Sequence, residues 1–260
     1  MIILKSKEEI EEMRTAGRIV AAFHQAIADR IRPGVTTLDI ETFAVRFLKE
    51  NGAKAYTIGY NGYPYATCAS VNDVIAHGFP SREPLKEGDI VTIDIVAEAD
   101  GWIGDSAWSY AVGEVTEEAR KLMRVTKECL YLGIEKAVVG NRIGDVMHAV
   151  QSHAERNGFS VVRDLLAHGV GREMHEEPNF PHVGSPGKGF RLKEGMVFTI
   201  EPMLNAGKAL MTIDDDGWTA RTADGSLSAQ YEHTIAITAE GPIILTELCK
   251  SKSALITNSI

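Results

Sequence analysis

The same ten-residue phrase occurs twice in this chain of 260 residues, and each copy ends on a carboxylate. Residues 85–94 read LKEGDIVTID and residues 192–201 read LKEGMVFTIE, so Asp94 and Glu201 occupy matching positions. Each copy joins a turn signal to a β-branched apolar run, the pattern of a buried strand. A carboxylate at the end of such a strand is costly to desolvate unless a positive charge meets it. The repeat therefore predicts a site between two related halves, with a cation in it.

The duplication extends beyond this phrase. An Asn-Gly pair at 51–52 recurs at 157–158, and each pair ends a helix–turn–helix pattern that leads into strands. The repeat is far too long for a solenoid, whose units are 20 to about 50 residues. We therefore expect a single domain, 1–260, with an internal pseudo-repeat of about 6–112 and 116–240.

Composition limits the class of protein. Hydrophobic residues make up 44% and charged residues 24% of the chain, which is typical of a globular protein with a core. A net charge of −9 argues against a nucleic-acid scaffold. Cys68, Cys129 and Cys249 are widely spaced and lack a CxxC pattern, which indicates reduced thiols rather than a disulfide framework. With no signal-peptide h-region and no membrane-spanning apolar run, a cytoplasmic protein is expected.

The pattern of apolar residues predicts an α+β fold. Ser6 and Glu9 form a capping-box sequence at the start of the first helix. The repeat strand is followed by a turn and a returning strand, as in a hairpin, and most remaining strands lie after residue 160. We expect one antiparallel-rich sheet backed by four helices. The predicted helices span 6–32, 37–50, 116–139 and 143–156, and the hairpin strands span 89–97 and 102–112.

Four acids and one histidine are the candidate metal ligands. Asp94 and Asp105 lie across the predicted hairpin, where they can stand side by side on one face, while Glu201 and Glu232 belong to other apolar runs and His168 lies between glycine-rich turns. Without a metal, four converging carboxylates would raise one another's pKa values strongly. Two divalent cations would neutralise them. Oxygen-rich ligation with a single histidine suits manganese, iron(II) or cobalt, and zinc is also compatible.

Each of these residues also has an ordinary explanation. A single aspartate at a strand end is more often a turn former or ion-pair partner, and a single histidine beside glycine is more often structural. The segment HGVGRE is not a phosphate-binding loop, because it lacks both the third glycine of GxGxxG and the Gly-Lys-Ser/Thr ending of a P-loop. The joint occurrence of the five residues, two of them in duplicated settings, favours a dinuclear metal site.

Five motifs, in order along nearly the whole chain, resemble those of type I methionine aminopeptidases. They are AHG at 76–78, TID to GD at 92–105, AHGVGREMHEEP at 167–178, FTIEPM at 198–203 and SAQYEHT at 228–234. The resemblance implies the pita-bread fold, also called creatinase/aminopeptidase-like, which has pseudo-two-fold symmetry. It also implies metal-dependent removal of the initiator methionine from nascent proteins whose second residue is small.

The resemblance implies a role for each ligand and a cofactor of two divalent metal ions per chain, with Co, Mn, Fe(II) or Zn as candidates. Asp94 would chelate one metal, Asp105 and Glu232 would bridge both, and His168 with Glu201 would hold the other. A hydroxide activated by both metals would attack the scissile carbonyl. Glu201 would also shuttle a proton.

The resemblance further implies accessory and pocket residues. His77 and His175 match histidines that contact the substrate, and His175 would steady the tetrahedral intermediate; orientation of a neighbouring ligand by His175 and a turn role for His77 remain alternatives. The residues that match the methionine pocket are Tyr60, Tyr63, Cys68, Met174 and Trp218. Met174 stands where the family commonly has phenylalanine, and Thr57 where it often has cysteine.

The implied partners are nascent polypeptide amino termini and the ribosome surface. No specific nucleic acid, no membrane and a monomeric state are expected. Three alternatives remain open at this point. A proline-specific pita-bread peptidase usually carries a large extra amino-terminal domain, whereas the first predicted helix here begins at residue 6. A type II methionine aminopeptidase carries a long insertion between His175 and Glu201, where this chain has only 25 residues, so type I is preferred. A non-catalytic pita-bread binding module would keep the fold and lose ligands.

Overall fold

The structure is a computed structural model, and it describes residues 1–248. Cys68 and Cys129 are free and buried, as expected for reduced thiols. The third cysteine, Cys249, lies outside the described residues. Within the described range, no helix is both long and apolar enough to cross a membrane.

Four helices form where the sequence predicts them. They are α1 (Lys7–Ala28), α2 (Thr37–Glu50), α3 (Glu117–Lys136) and α4 (Ile143–Arg156). The capping box at Ser6 and Glu9 is present. α1 ends four residues before the predicted boundary, where the Arg30 N–H bonds to the Ile27 carbonyl three residues back, as in a 3₁₀ turn. α3 ends early in the same way, where the Ala137 N–H bonds to the Ile134 carbonyl.

The second helix of each half is built from the same local signals. α2 and α4 are both 14 residues long. Near their first turns, Asp39 and Asp145 accept hydrogen bonds from the Thr36 and Arg142 N–H groups at 2.9 and 2.8 Å. Each helix ends at the asparagine of an Asn-Gly pair, and the glycine takes the positive φ that stops a helix at low cost.

The strands are all paired antiparallel. In chain order they are β1 (Lys54–Ala55), β2 (Thr67–Val71), β3 (Val74–Ala76), β4 (Ile90–Ala99), β5 (Trp102–Ala111), β6 (Ser160–Val161), β7 (Leu166–Gly169), β8 (Glu176–Pro181), β9 (Val197–Ile200), β10 (Met203–Asn205), β11 (Met211–Ile213), β12 (Ala220–Thr222), β13 (Ser228–Gln230), β14 (His233–Thr238) and β15 (Gly241–Ile244).

The expectation of one sheet is wrong, because hydrogen bonding divides the described strands into four separate sheets, called ladders from here on. Their orders are β1-β4-β2 with β5 on β4, β13-β10-β6, β11-β12-β3, and β15-β14-β9-β7-β8. The apolar run from β9 is interrupted at Pro202, which has no N–H to continue a ladder. The run that contains Glu232 is also interrupted, because the Glu232 N–H donates to the Ala107 carbonyl at 2.8 Å instead.

Each half packs its helices on one side of its main ladder. Phe23 and Ile93 belong to the core between α1, α2 and the β4 ladder, while Leu130 and Phe198 belong to the core between α3, α4 and the β9 ladder. All four side chains are fully buried. Polar residues of both ladders are nevertheless buried, among them Asp105 in the first and His168 and Thr199 in the second.

Candidate active site

The β4–β5 hairpin supplies two of the predicted ligands. Asp94 pairs with Ala107, and Asp105 pairs with Val96. The two aspartates are therefore diagonal neighbours on one face of the hairpin, rather than directly opposite each other. The prediction of a shared face is correct, but Asp105 lies two residues away from the position directly opposite Asp94.

The second half supplies the other three predicted ligands. Glu201 follows the last residue of β9 and Glu232 precedes the first residue of β14, and these two strands pair with Ile200 opposite His233. Glu232 therefore lies in the break before β14, not inside a strand as the sequence suggested. His168 lies in β7, which pairs with β9.

His168 is held in the tautomer that a metal ligand requires. Its Nδ1 lies 3.1 Å from the Gly169 carbonyl, so Nδ1 carries the proton and donates it. Nε2 is left with a lone pair, and it lies 3.7 Å from Oδ2 of Asp105 and 3.6 Å from Oε1 of Glu201. A backbone partner on one ring nitrogen is the usual way to orient a ligating histidine.

The ligand atoms of Asp105, His168 and Glu232 all lie within 4.8 Å of one another. Asp94 contributes a buried Oδ1 without a hydrogen-bond partner in the protein. Burial raises the pKa of Asp94 to about 7 and that of Glu201 to about 8. Burial and the neighbouring carboxylates raise the pKa values of Asp105 and Glu232 well above the ordinary range.

These carboxylates have no positively charged side chain beside them. Among the described residues that line the cavity, none is lysine or arginine. Burial lowers the pKa of His168 to about 3, so the imidazole is neutral and cannot compensate the carboxylates. Four carboxylates and a neutral imidazole form the donor set of a divalent-cation site, and the residues present fit such ions.

The ligands open into a cavity of about 190 Å³. All twelve residues that the sequence marked as candidates line it, namely Tyr60, Tyr63, Cys68, His77, Asp94, Asp105, His168, Met174, His175, Glu201, Trp218 and Glu232. Thr57, the other departure from the family pattern, also lines it.

The two accessory histidines reach the cavity from different halves of the fold. His175 lies beside the ligands, with its ring centre 4.2 Å from that of His168, and its Nδ1 is 2.7 Å from the Tyr60 hydroxyl. His77 follows β3 with a φ of 58°. A left-handed backbone is uncommon for a residue other than glycine and is often found where a side chain serves a site.

Aromatic rings and sulfur form one wall of the cavity. Tyr63 packs edge-on against Trp218 at 5.1 Å, and its hydroxyl donates to the Thr67 and Gly78 carbonyls at 3.0 and 3.1 Å. Cys68 and Met174 are buried and also line the cavity. Polarisable sulfur and aromatic faces suit a thioether side chain.

The sequence did not reveal two residues that orient Glu201. The Thr199 hydroxyl donates to Oε1 of Glu201 at 2.8 Å, and the Gln230 side-chain amide donates to Oε2 at 3.3 Å. Each lies two positions before a predicted ligand, a spacing that puts both residues on one face of an extended chain. The sequence shows this spacing in TIE at 199–201 and QYE at 230–232. A neutral polar residue does not by itself indicate a functional site, however.

The fold and the donor set together define a metallopeptidase. The chain belongs to metallopeptidase family M24, whose model matches residues 11–239. The family and the fold that the sequence indicated are thus confirmed, as is the need for metal.

Within the family, the relatives are methionine aminopeptidases. Methionine aminopeptidase A of Synechocystis is 50% identical over 246 residues, which cover 94% of this chain and 97% of that protein. Methionine aminopeptidase 1 of Bacillus subtilis is 47% identical over 248 residues, with 95% and 100% covered. The crystal structure of methionine aminopeptidase from Rickettsia prowazekii superposes with a TM-score of 0.93 at 42% identity, covering 95% of this chain and 100% of that one.

A prolidase is a more distant neighbour. The enzyme from Pyrococcus furiosus superposes with a TM-score of 0.76 at 25% identity, and the match covers 95% of this chain but 66% of the prolidase. The chain thus shares this fold with proline-specific peptidases and resembles the methionine aminopeptidases more closely in sequence and length.

Proposed function

We propose that the chain is an aminopeptidase that removes the initiator methionine from new polypeptides. The observation that carries this proposal is one cavity in which Asp94, three buried carboxylates and a neutral histidine lie beside a wall of aromatic rings and sulfur. The sequence identity of 50% and 47% to two methionine aminopeptidases, over nearly the whole chain, supports the same activity.

The proposed ligand roles follow the two halves of the fold. Asp94 would hold one divalent cation, Asp105 and Glu232 would contribute to both sites, and His168 with Glu201 would hold the other. When bound, the pair of cations supplies Lewis-acid activation of a water molecule and polarisation of the scissile carbonyl. The identity of the ions, among Co, Mn, Fe(II) and Zn, stays open.

Glu201 is the proposed proton carrier. The hydrogen bonds from Thr199 and Gln230 fix its two carboxylate oxygens, and burial raises its pKa to about 8. A carboxylate whose two oxygens are fixed in this way can take a proton from the attacking water and return it to the leaving amine.

The proposed role of His175 is to donate a hydrogen bond to the developing oxyanion. If the Tyr60 hydroxyl donates to Nδ1, the proton of the neutral ring is on Nε2. An N–H aimed at the position of the developing charge stabilises the transition state more than the ground state. His77, which also lines the cavity, is proposed to contact the substrate.

Tyr60, Tyr63, Cys68, Met174 and Trp218 are the proposed methionine pocket. Substrates whose second residue is small are proposed from the resemblance to type I methionine aminopeptidases. We further propose a single catalytic domain of two related halves, about 6–112 and 116–240. A monomeric state, a cytoplasmic location, nascent amino termini as substrates and contact with the ribosome surface complete the proposal.

The test is release of methionine from Met-Ala-Ser after anaerobic reconstitution with each candidate metal. We expect metal-dependent turnover, and its loss in Asp105→Asn with the fold retained. Cleavage of X-Pro peptides without cleavage of Met-Ala-Ser would instead identify a proline-specific peptidase. Absence of turnover with every metal would favour the alternative that the chain is a non-catalytic binding module.

A further inference from the structure

The segment before α1 reaches the loop that carries His175. The Nζ of Lys5 forms an ion pair with Oε2 of Glu176, the residue that follows His175. The two side chains are only 3% and 10% exposed. A lysine is almost never buried to this degree unless its charge is paired, and here the pair joins residues 171 positions apart.

The backbone around the pair leaves room for it. A Cβ atom on Gly171 would lie 2.7 Å from Nζ of Lys5 and 2.3 Å from Oε1 of Glu176. The φ of Gly171 is not in the left-handed region, so space rather than conformation explains the glycine. The Lys5 N–H donates to the Gly195 carbonyl at 2.7 Å, which fixes the segment beside the loop that leads into β9.

Glu176 also closes the loop itself. Its Oε1 accepts a hydrogen bond from the Arg172 N–H at 2.9 Å, so the turn from 172 to 176 is tied across by one carboxylate. The Arg172 guanidinium lies 3.5 Å above the Trp102 ring, which anchors the start of the turn. His175 and Met174 both lie within the 172–176 turn that this carboxylate closes.

We propose that Lys5 is a positioning residue for the hydrolytic reaction. By pairing with Glu176 it fixes the carboxylate that closes the 172–176 turn, and this turn sets the direction of His175 into the cavity. Without the ammonium group, Oε2 of Glu176 has no buried partner and the carboxylate turns toward solvent. This inference rests on the role proposed above for His175.

The experiment compares Lys5→Met with Lys7→Met in the metal-loaded full-length protein. Lys7 is a matched control because it lies two positions away and its side chain is 76% exposed. Its ion pair with Glu194 is weak, since the two charged atoms are 3.9 Å apart. Since misplacement of a catalytic group by about 1 Å can cost on the order of 100-fold, we expect Lys5→Met to lower kcat at least ~10-fold. KM for Met-Ala-Ser should stay within about threefold, and Lys5→Arg should recover most of kcat.

Amide hydrogen exchange provides a second readout that does not depend on activity. In Lys5→Met, amides in the 170–177 peptide should exchange faster than in Lys7→Met, while peptides from α3 should be unchanged. If Lys5→Met does not fold, Glu176→Gln replaces it with the same expectations. An unchanged exchange rate of the loop, or a kcat within twofold of Lys7→Met, would overturn the proposal. A wild-type protein without turnover would remove the proposed function, yet the exchange of the loop would still decide whether Lys5 holds the 172–176 turn in place.

Discussion

The Thr199 hydroxyl donates a 2.8 Å hydrogen bond to Oε1 of Glu201, and it also accepts one from the His168 N–H at 3.1 Å. One hydroxyl group thus connects two of the proposed ligands on neighbouring strands. In the first copy of the repeated phrase, the matching residue Thr92 bonds instead to the Ser109 hydroxyl at 2.7 Å. The duplicated threonine serves the site in the second copy and the hairpin in the first.

This relationship predicts that Thr199→Val lowers kcat about 10-fold, because a hydrogen bond to a charged group contributes about 1.5 kcal/mol or more. Valine has the shape of threonine, so the strand should stay packed. The measurement is steady-state turnover of Met-Ala-Ser at saturating metal. Thr92→Val is the matched control and should lose comparable thermal stability while keeping kcat within about twofold. Equal loss of kcat in both variants would contradict the assignment.

The contact between Tyr60 and His175 makes a second prediction. Tyr60→Phe removes the hydroxyl group that selects the tautomer of His175, and kcat/KM should fall about 5- to 10-fold, the effect of a hydrogen bond worth about 1 kcal/mol. Tyr110→Phe is the control, because the Tyr110 hydroxyl lies 2.8 Å from Nδ1 of His24 in the same kind of pair outside the cavity. An unchanged kcat/KM in Tyr60→Phe would show that His175 needs no such selection.

The metal-free protein should lose stability as the pH rises. Asp94 has an ordinary pKa of 3.8, which burial raises to about 7 in the folded protein. The folded state therefore binds more protons than the unfolded state between these pH values, and the free energy of unfolding falls across that window. A pKa that differs by 1 between the folded and unfolded states corresponds to about 1.4 kcal/mol, so urea unfolding in chelator should show a loss of several kcal/mol from about pH 4.5 to 8.

Asp94→Asn should make this pH dependence less steep, since it removes one of the titrating carboxylates. A metal-free protein whose stability stays constant or rises across the window would contradict the raised pKa values of all four carboxylates. Saturating Mn²⁺ should reverse the trend, because metal competes with protons for the same oxygens and binds better as the pH rises.

Metal-induced stabilisation should also depend on Asp94. At a free metal concentration about 100 times Kd, binding stabilises the folded state by about 2.7 kcal/mol, which differential scanning calorimetry detects as a higher Tm. Asp94→Asn should lose much of this increase. Asp100→Asn is the control on the same hairpin, since asparagine is well tolerated at the left-handed φ of 53° found there. An equal increase in Tm in both variants would remove Asp94 from the ligand set.

The sequence predicted the helices and the β4–β5 hairpin because their signals are local. The capping box at Ser6 and the Asn-Gly pairs at 51–52 and 157–158 act within one helical turn, and each is used as expected. The division into four ladders was not predictable in this way. It depends on long-range pairing, such as the bond from the Glu232 N–H to Ala107, that no local pattern encodes.

The site was predictable to the extent that its residues carry charge in apolar surroundings. Asp94, Asp105, Glu201 and Glu232 stood out because a buried acid needs an explanation. Thr199 and Gln230 did not, because an uncharged polar residue in a strand is common. Lys5 lay in a terminal segment where a lysine is usually solvated, and only the three-dimensional structure brings it to Glu176.

The most direct test of a two-metal aminopeptidase is a titration of the chelator-treated protein with Mn²⁺ or Co²⁺, followed by calorimetry and by methionine release from Met-Ala-Ser in the same samples. We expect up to two equivalents to bind per chain, turnover to rise with occupancy, and both signals to be lost in Asp105→Asn. Full turnover without bound metal, or metal binding that is unchanged in Asp105→Asn, would contradict the assignment of this cavity as the active site.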